Sequence, residues 1–338
     1  MFKKMSVLCL LGLFIFMGMT FYNGTEVQAA TFNWKASSPF PPGDTANMGS
    51  EEFTKLVEKN SNGKVKITFY SGSLGSPKDA WDMVKSNTIQ FTWTGDLYNP
   101  GRMSISQMVG MPFEVPSIKD AYKVLDALLN AGYLNKEYAG LKPLYLLPTY
   151  PIGLYMTEKK ITRLEDFQGM KIRCGTGLQG QAIIALGAST VSLPGSEEYM
   201  SLQTGVIDAT ITGINIGIHR KLHEVVKYAI KEPPIFFGVF VMLMNEKTWE
   251  STPQDIQKVI EDAGKEIAQG QVQEYSSQEE KMWDEFSKKV EVYSIPPEEQ
   301  ARWRNRIGDL GDNHAADLSS KGYPGKEALA LMRKLLGR

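Results

Sequence analysis

Arg173 ends the stretch Met170-Lys-Ile-Arg173, and its guanidinium is a planar fork of donors that matches a carboxylate bidentately. Taken alone, an arginine at a strand end reads as a surface ion pair, so its neighbours must decide its role. Cys174 stands beside it, where a cation could activate a thiol, but no paired histidine is in view and a buried structural thiol fits better. His219-x-x-x-His223 has the i, i+4 spacing of two metal ligands on a helix. It lacks a third ligand nearby and sits in the charged run from His219 to Glu224, which reads as a solvated helix face. Asp96 and Glu197 could serve an enzyme as acid or base. Against that, the chain has no P-loop and no G-x-S-x-G elbow.

Composition narrows the classes further. The 338 residues suit two domains, and 37 basic against 38 acidic residues leave no positive excess for a nucleic-acid backbone. Two cysteines and three histidines supply neither a disulfide framework nor a thiolate metal site. Lys3 and Lys4 precede an apolar run from Val7, and Val27-Gln28-Ala29 places small or β-branched residues where a signal peptidase reads, which predicts a signal peptide over 1–29, cut near Ala29. Removing it leaves Cys174 as the single cysteine and predicts an extracytoplasmic protein.

The elements that position these residues alternate between the helical and strand periods. Lys64 to Tyr70 has period two and predicts a strand; Ile89 to Trp93 and Leu141 to Leu147 predict two more. Around them, Asp44 is positioned to cap a helix ending at Asn62-Gly63, Ser76-Pro77 opens another, and Ser117-x-x-Asp120 starts a third. A second set follows Pro148 and Pro151: strand Met170–Arg173, helix Leu178–Leu186, a helix from Glu197 to Gln203 capped by Ser196, and strands near 206–211, 225–230 and 236–244. Thr252-Pro253-x-Asp255 begins a helical stripe that continues past Tyr275 to Phe286, too long for one small domain. Strand, helix, strand is the rhythm of a largely parallel sheet.

The succession Leu164 to Arg173, Ala185-Leu-Gly-Ala-Ser189, Glu197 to Asp208 and Leu222 to Tyr228 resembles the solute-binding proteins of tripartite ATP-independent periplasmic (TRAP) transporters, the DctP family. Ser71-Gly-Ser-Leu-Gly75 and the long late helix extend the likeness across the chain. The resemblance implies an α/β, two-domain periplasmic-binding-protein-like (type II-like) fold, with hinge strands and a long helix spanning both domains. The expected boundaries are 30–150 plus 239–278 for one domain and 151–238 plus 279–338 for the other.

It also implies that Arg173 clasps the carboxylate of a ligand. Many relatives carry a second arginine twenty residues earlier, where this chain has Gly153, so one carboxylate is expected rather than two. The contact that often follows the V-D-G motif falls near Thr212. Ligands gather at the carboxyl ends of strands, which points to Ser37, Ser38 and Phe40 and to Trp93, Thr94, Gly95 and Asp96 on the first domain. Tyr155 and Thr176 are expected from the second domain and Phe237 near the hinge. The expectation is a non-enzymatic receptor that captures a small organic carboxylate and delivers it to the small and large membrane subunits of a TRAP permease. It would be a monomer with no cofactor, no metal and no nucleic-acid partner. A secreted enzyme acting on small carboxylates is the alternative.

Overall fold

The structure, a computed structural model, describes residues 32–44, 47–72, 74–75, 79–99, 101–175 and 177–338. The expected signal peptide and Thr176 lie outside them. Among the described residues, eleven strands form two sheets. The first joins β1 (Phe32–Ser38), β2 (Val65–Ser71), β3 (Phe91–Gly95), β4 (Leu141–Pro148) and β10 (Val239–Asn245) in the order β2-β1-β3-β10-β4. The second joins β5 (Ile152–Met156), β6 (Lys171–Arg173), β7 (Ser189–Val191), β8 (Ala209–Gly213), β9 (Tyr228–Glu232) and β11 (Glu291–Ser294) in the order β11-β9-β5-β8-β6-β7.

Each sheet is parallel apart from one strand. β10 runs against β3 and β4, and β5 runs against β8 and β9. These two strands follow the crossings between sheets, β4 to β5 and β9 to β10, and so enter each sheet from the end facing its partner. The remaining strands point their carboxyl ends toward the crevice, which brings Ser38 and Gly95 to one wall and Arg173 and Gly213 to the other.

The helix Gln254–Ser287 has 34 residues and is about 51 Å long at 1.5 Å per residue. Gly264 lies against Tyr145 of the first sheet, while Trp283 stacks on Tyr155 of the second at 5.9 Å between ring centroids. The expected brace is therefore present. Ser117 caps the helix Ile118–Asn130 as its spacing foretold, accepting the Asp120 N–H at 3.1 Å.

Several expectations change. The first helix starts at Ser50, after Gly49, with Asp44 in the preceding turn. The histidine pair does not share a helix: Ile214–His219 ends, Lys221 takes a positive φ of 55°, and Leu222–Glu224 forms a separate 3-10 turn. The i, i+4 geometry is lost with it. Part of the stretch 279–338 packs against a helix that follows β3. Helix Gly325–Leu335 packs on Ile118–Asn130 and helix Leu310–Ser320 packs on Gly325–Leu335, with Ala315, Leu318, Ala328, Leu329 and Met332 buried in the larger apolar cluster. Lys136 Nζ donating to the Lys321 carbonyl and Lys123 Nζ donating to the Leu335 carbonyl at 3.2 Å tie them there. Their apolar stripe finds its partner nearly two hundred residues away, which local periodicity does not reveal.

Candidate functional site

A cross-strand row sets the floor of the second wall. Arg173 on β6 is registered with Thr210 on β8, and Thr210 with Tyr155 on β5, so all three side chains leave the same face. Above them lies the short helix Glu198–Gln203. Glu198 is fully buried, and its carboxylate accepts from the Arg173 guanidinium (Nη1, 3.2 Å), from Arg220 Nη1 and from the Thr210 hydroxyl. Arg173 Nε also donates to the Leu193 carbonyl at 3.4 Å. The two arginine side chains keep 20% and 29% of their surface, so both remain partly open to solvent. Gly195 makes room for one of them: a Cβ there would lie 2.4 Å from Arg220 Nη2.

Aromatic rings form the opposite wall. Phe40 meets Tyr98 at 5.5 Å and Phe240 at 5.7 Å, both edge-on, and Phe240 stacks on Trp93 at 5.4 Å. Burial raises the Tyr98 hydroxyl above its usual range, while the fields of Arg220 and then Arg173 pull it back. The phenol of the first domain therefore lies within electrostatic reach of both cations of the second. Beside it runs a crevice of about 320 Å³ lined by Asp96, Gln107, Gln179, Phe237, His314 and Lys321, among others.

The residues expected from sequence divide accordingly. Arg173 and Phe40 stand in the two walls, and Thr212 lies two residues beyond Thr210 on the same face, 7% exposed. Asp96 and Phe237 line the crevice. Asp96 holds the hinge, accepting the Leu97 N–H at 2.9 Å and the Val239 N–H at 3.2 Å; burial pushes its carboxyl up to about 6. Three residues sit behind the walls instead. Trp93 is fully buried beneath Phe240, because β3 is covered on both faces. Ser37 shares a hydrogen bond with Thr92 at 3.3 Å inside the sheet. Tyr155 is enclosed by Trp283 and Phe286. Ser38 has a supporting task, accepting the Phe40 N–H at 3.3 Å in the turn that presents that ring.

Arg220 and Glu198 escaped the sequence reading. Arg220 stood in a run taken as a solvated face, and Glu197, the neighbour singled out as an acid or base, is exposed. Gly153 proves to be more than a missing cation: a Cβ there would meet the Ile230 carbonyl at 2.8 Å and the Trp283 ring at 3.1 Å. Cys174 is buried and its thiol is pushed up to about 11 by desolvation, the opposite of an activated nucleophile. Among the described residues no cluster of three or more His, Cys, Asp or Glu side chains is arranged to hold a metal ion.

The turn Ser106–Gly110 at the edge of the crevice rests on a buried acid. Glu137 accepts the Ile105 and Ser106 N–H groups and the Ser106 hydroxyl, and burial pushes it up to about 7. An unfolded glutamate titrates near 4.3, so the folded chain holds this proton more tightly and loses stability as pH rises from about 4.3 to 7. Between pH 5 and 8 the expected loss from this group is roughly 2–3 kcal/mol. Glu137→Gln mimics the protonated form, so urea unfolding of the variant should lack that slope. An unchanged slope would assign the pH dependence elsewhere.

Two α/β domains around a polar and aromatic crevice, crossed by two strands and a long helix, define a receptor that encloses a small solute. Residues 36–317 match the family described as bacterial extracellular solute-binding protein, family 7, and the chain belongs to that family, the DctP-type receptors of TRAP transporters. Its relatives are substrate-binding transport proteins, not enzymes. The chain is 28% identical over 255 residues to the monocarboxylate 2-oxoacid-binding periplasmic protein of a Nostoc species, covering 71% of this chain and 68% of that one. It is 24% identical over 296 residues to the C4-dicarboxylate-binding periplasmic protein DctP of Rhodobacter capsulatus, covering 85% and 87%. A crystal structure of a marine-metagenome TRAP solute-binding protein specific for aromatic acid ligands, in complex with metahydroxyphenylacetate, has the same fold. It matches at a TM-score of 0.79 and 23% identity, over 90% of this chain and 98% of that one. No helix of the described residues is long and apolar enough to cross a membrane.

Proposed function

We propose that this chain captures a small organic monocarboxylate with an apolar or aromatic body between Arg173 and the Phe40–Tyr98–Phe240 wall. It then hands the solute, unchanged, to the small and large membrane subunits of a TRAP permease. It works as a monomer outside the cytoplasm, after loss of the signal peptide near Ala29. The observation that carries the reading is the convergence of Arg173 and Arg220 opposite three aromatic rings. A carboxylate enclosed there gains charge-assisted hydrogen bonds, and its body gains ring contacts in a crevice with little water. The names of the Nostoc and marine relatives, which bind monocarboxylate 2-oxoacids and aromatic acids, support the same class.

Thermal unfolding of the purified protein against a carboxylate panel tests this. A ligand at one hundred times its Kd adds about 2.7 kcal/mol of stability, and at least one monocarboxylate should raise Tm accordingly. The ligand should be recovered chemically intact. A panel in which only sugars or amines stabilise the protein would contradict the reading.

A further inference from the structure

We infer that Glu198 sets the charge that the binding site accepts, making the site selective for monoanions over dianions. The inference rests on the proposed carboxylate site and deepens it. Two guanidiniums converge on one fully buried carboxylate, whose remaining hydrogen-bond partner among the described residues is the Thr210 hydroxyl. The pairing leaves the cluster with one net positive charge. Asp44 and Asp96 also act on Tyr98, each more weakly than either arginine, and Asp96 is committed to the backbone N–H groups of Leu97 and Val239.

The geometry indicates how the balance is struck. Glu198 engages Nη1 of both arginines, and among the described residues neither Nη2 has a hydrogen-bond partner. The guanidiniums remain partly exposed, so an incoming carboxylate meets preplaced donors without displacing Glu198. A second ligand carboxylate held against the same cluster would face Glu198, which already cancels one of its two arginines. Like charges juxtaposed in a desolvated site are strongly unfavourable, which is how binding sites reject a close analogue. The absence of an arginine at Gly153 therefore gives only part of the reason for a single charge. The site does hold a second cation, Arg220, and Glu198 cancels it.

The test is a charge cycle read by calorimetric titration at pH 8 with matched probes, benzoate against phthalate and 2-oxobutyrate against 2-oxoglutarate. Wild type should favour the monoanion of whichever pair it binds. Glu198→Gln, which keeps the shape and removes the charge, should shift the dianion-to-monoanion affinity ratio upward by at least about tenfold. Arg220→Gln should weaken the monoanion at least tenfold, because the cluster becomes neutral. The double variant Glu198→Gln with Arg220→Gln regains one positive charge and should recover most of that loss. If Glu198 only braces the arginines, Glu198→Gln weakens both probes alike and the double variant binds no better than Arg220→Gln; either result overturns the inference. Should Glu198→Gln fail to fold, the comparison of Arg220→Gln with the double variant decides. Wild type binding neither monoanion nor any other monocarboxylate would instead remove the proposed function itself, and the inference with it.

Discussion

Replacing Arg173 with alanine should cost two to four decades of affinity for the monocarboxylate while leaving the protein folded. A carboxylate enclosed between the domains loses its water, and its charge is tolerable only while paired and hydrogen-bonded. Deleting one partner of such a pair typically costs about 3–5 kcal/mol. Arg173 also pairs with Glu198, so its loss leaves that buried carboxylate on Arg220 and Thr210 alone. Part of the effect therefore comes from a site that has lost its order before the ligand arrives. Arg173→Lys should not restore binding, because a point donor on a different stem cannot serve Glu198, the Leu193 carbonyl and the ligand together. Calorimetry with the ligand found by the panel, alongside urea unfolding, separates the effects. Near wild-type affinity in the alanine variant would remove Arg173 from the site, and loss of folding would make it a structural ion pair.

Trp283→Ala should be the corresponding blow to stability. The indole is 2% exposed, stacks on Tyr155 with an interplanar angle of 10°, and meets Phe286 edge-on at 6.2 Å. It covers the gap that Gly153 leaves on β5 and so anchors the far end of the long helix to the second sheet. Large-to-small changes at such positions cost about 3–5 kcal/mol, because the surroundings relax only partly into the cavity. Filling the gap from the other side should not compensate, since any side chain at 153 meets the Ile230 carbonyl first. The check is a chemical denaturation midpoint for Trp283→Ala and for Trp283→Ala with Gly153→Val. A loss under about 1 kcal/mol in the single variant, or recovery in the double, would show that the helix is held elsewhere.

Much of the architecture was legible because it is local. The strand Lys171–Arg173 and the helix Leu178–Leu186 follow from patterns a few residues long, and the long helix from an extended apolar stripe. β5 was not visible, since its five residues include Gly153 and follow Pro151, a run too short and too interrupted to separate from a loop. The second arginine was hidden for a different reason. Arg220 lies beyond a helix end in a charged run, and only the tertiary fold brings it over Gly195 to Glu198. Position along a strand also misled. Nearness to the carboxyl end of β3 suggested that Trp93 faces the ligand, yet a central strand covered on both faces keeps even its late residues in the core. The resemblance made Arg173 functional, but the charge logic around it belongs to side chains that share no local sequence pattern.

The most direct test of the central claim is a crystal structure of the protein with benzoate, or with the tightest monocarboxylate of the panel. The account predicts the carboxylate within hydrogen-bond distance of the Arg173 guanidinium and close to Arg220, with the body of the ligand against Phe40, Tyr98 and Phe240 and Glu198 still in place between the arginines. A ligand bound with its carboxylate on Lys321 or His314 in the neighbouring crevice, leaving Arg173 paired with Glu198 alone, would contradict it.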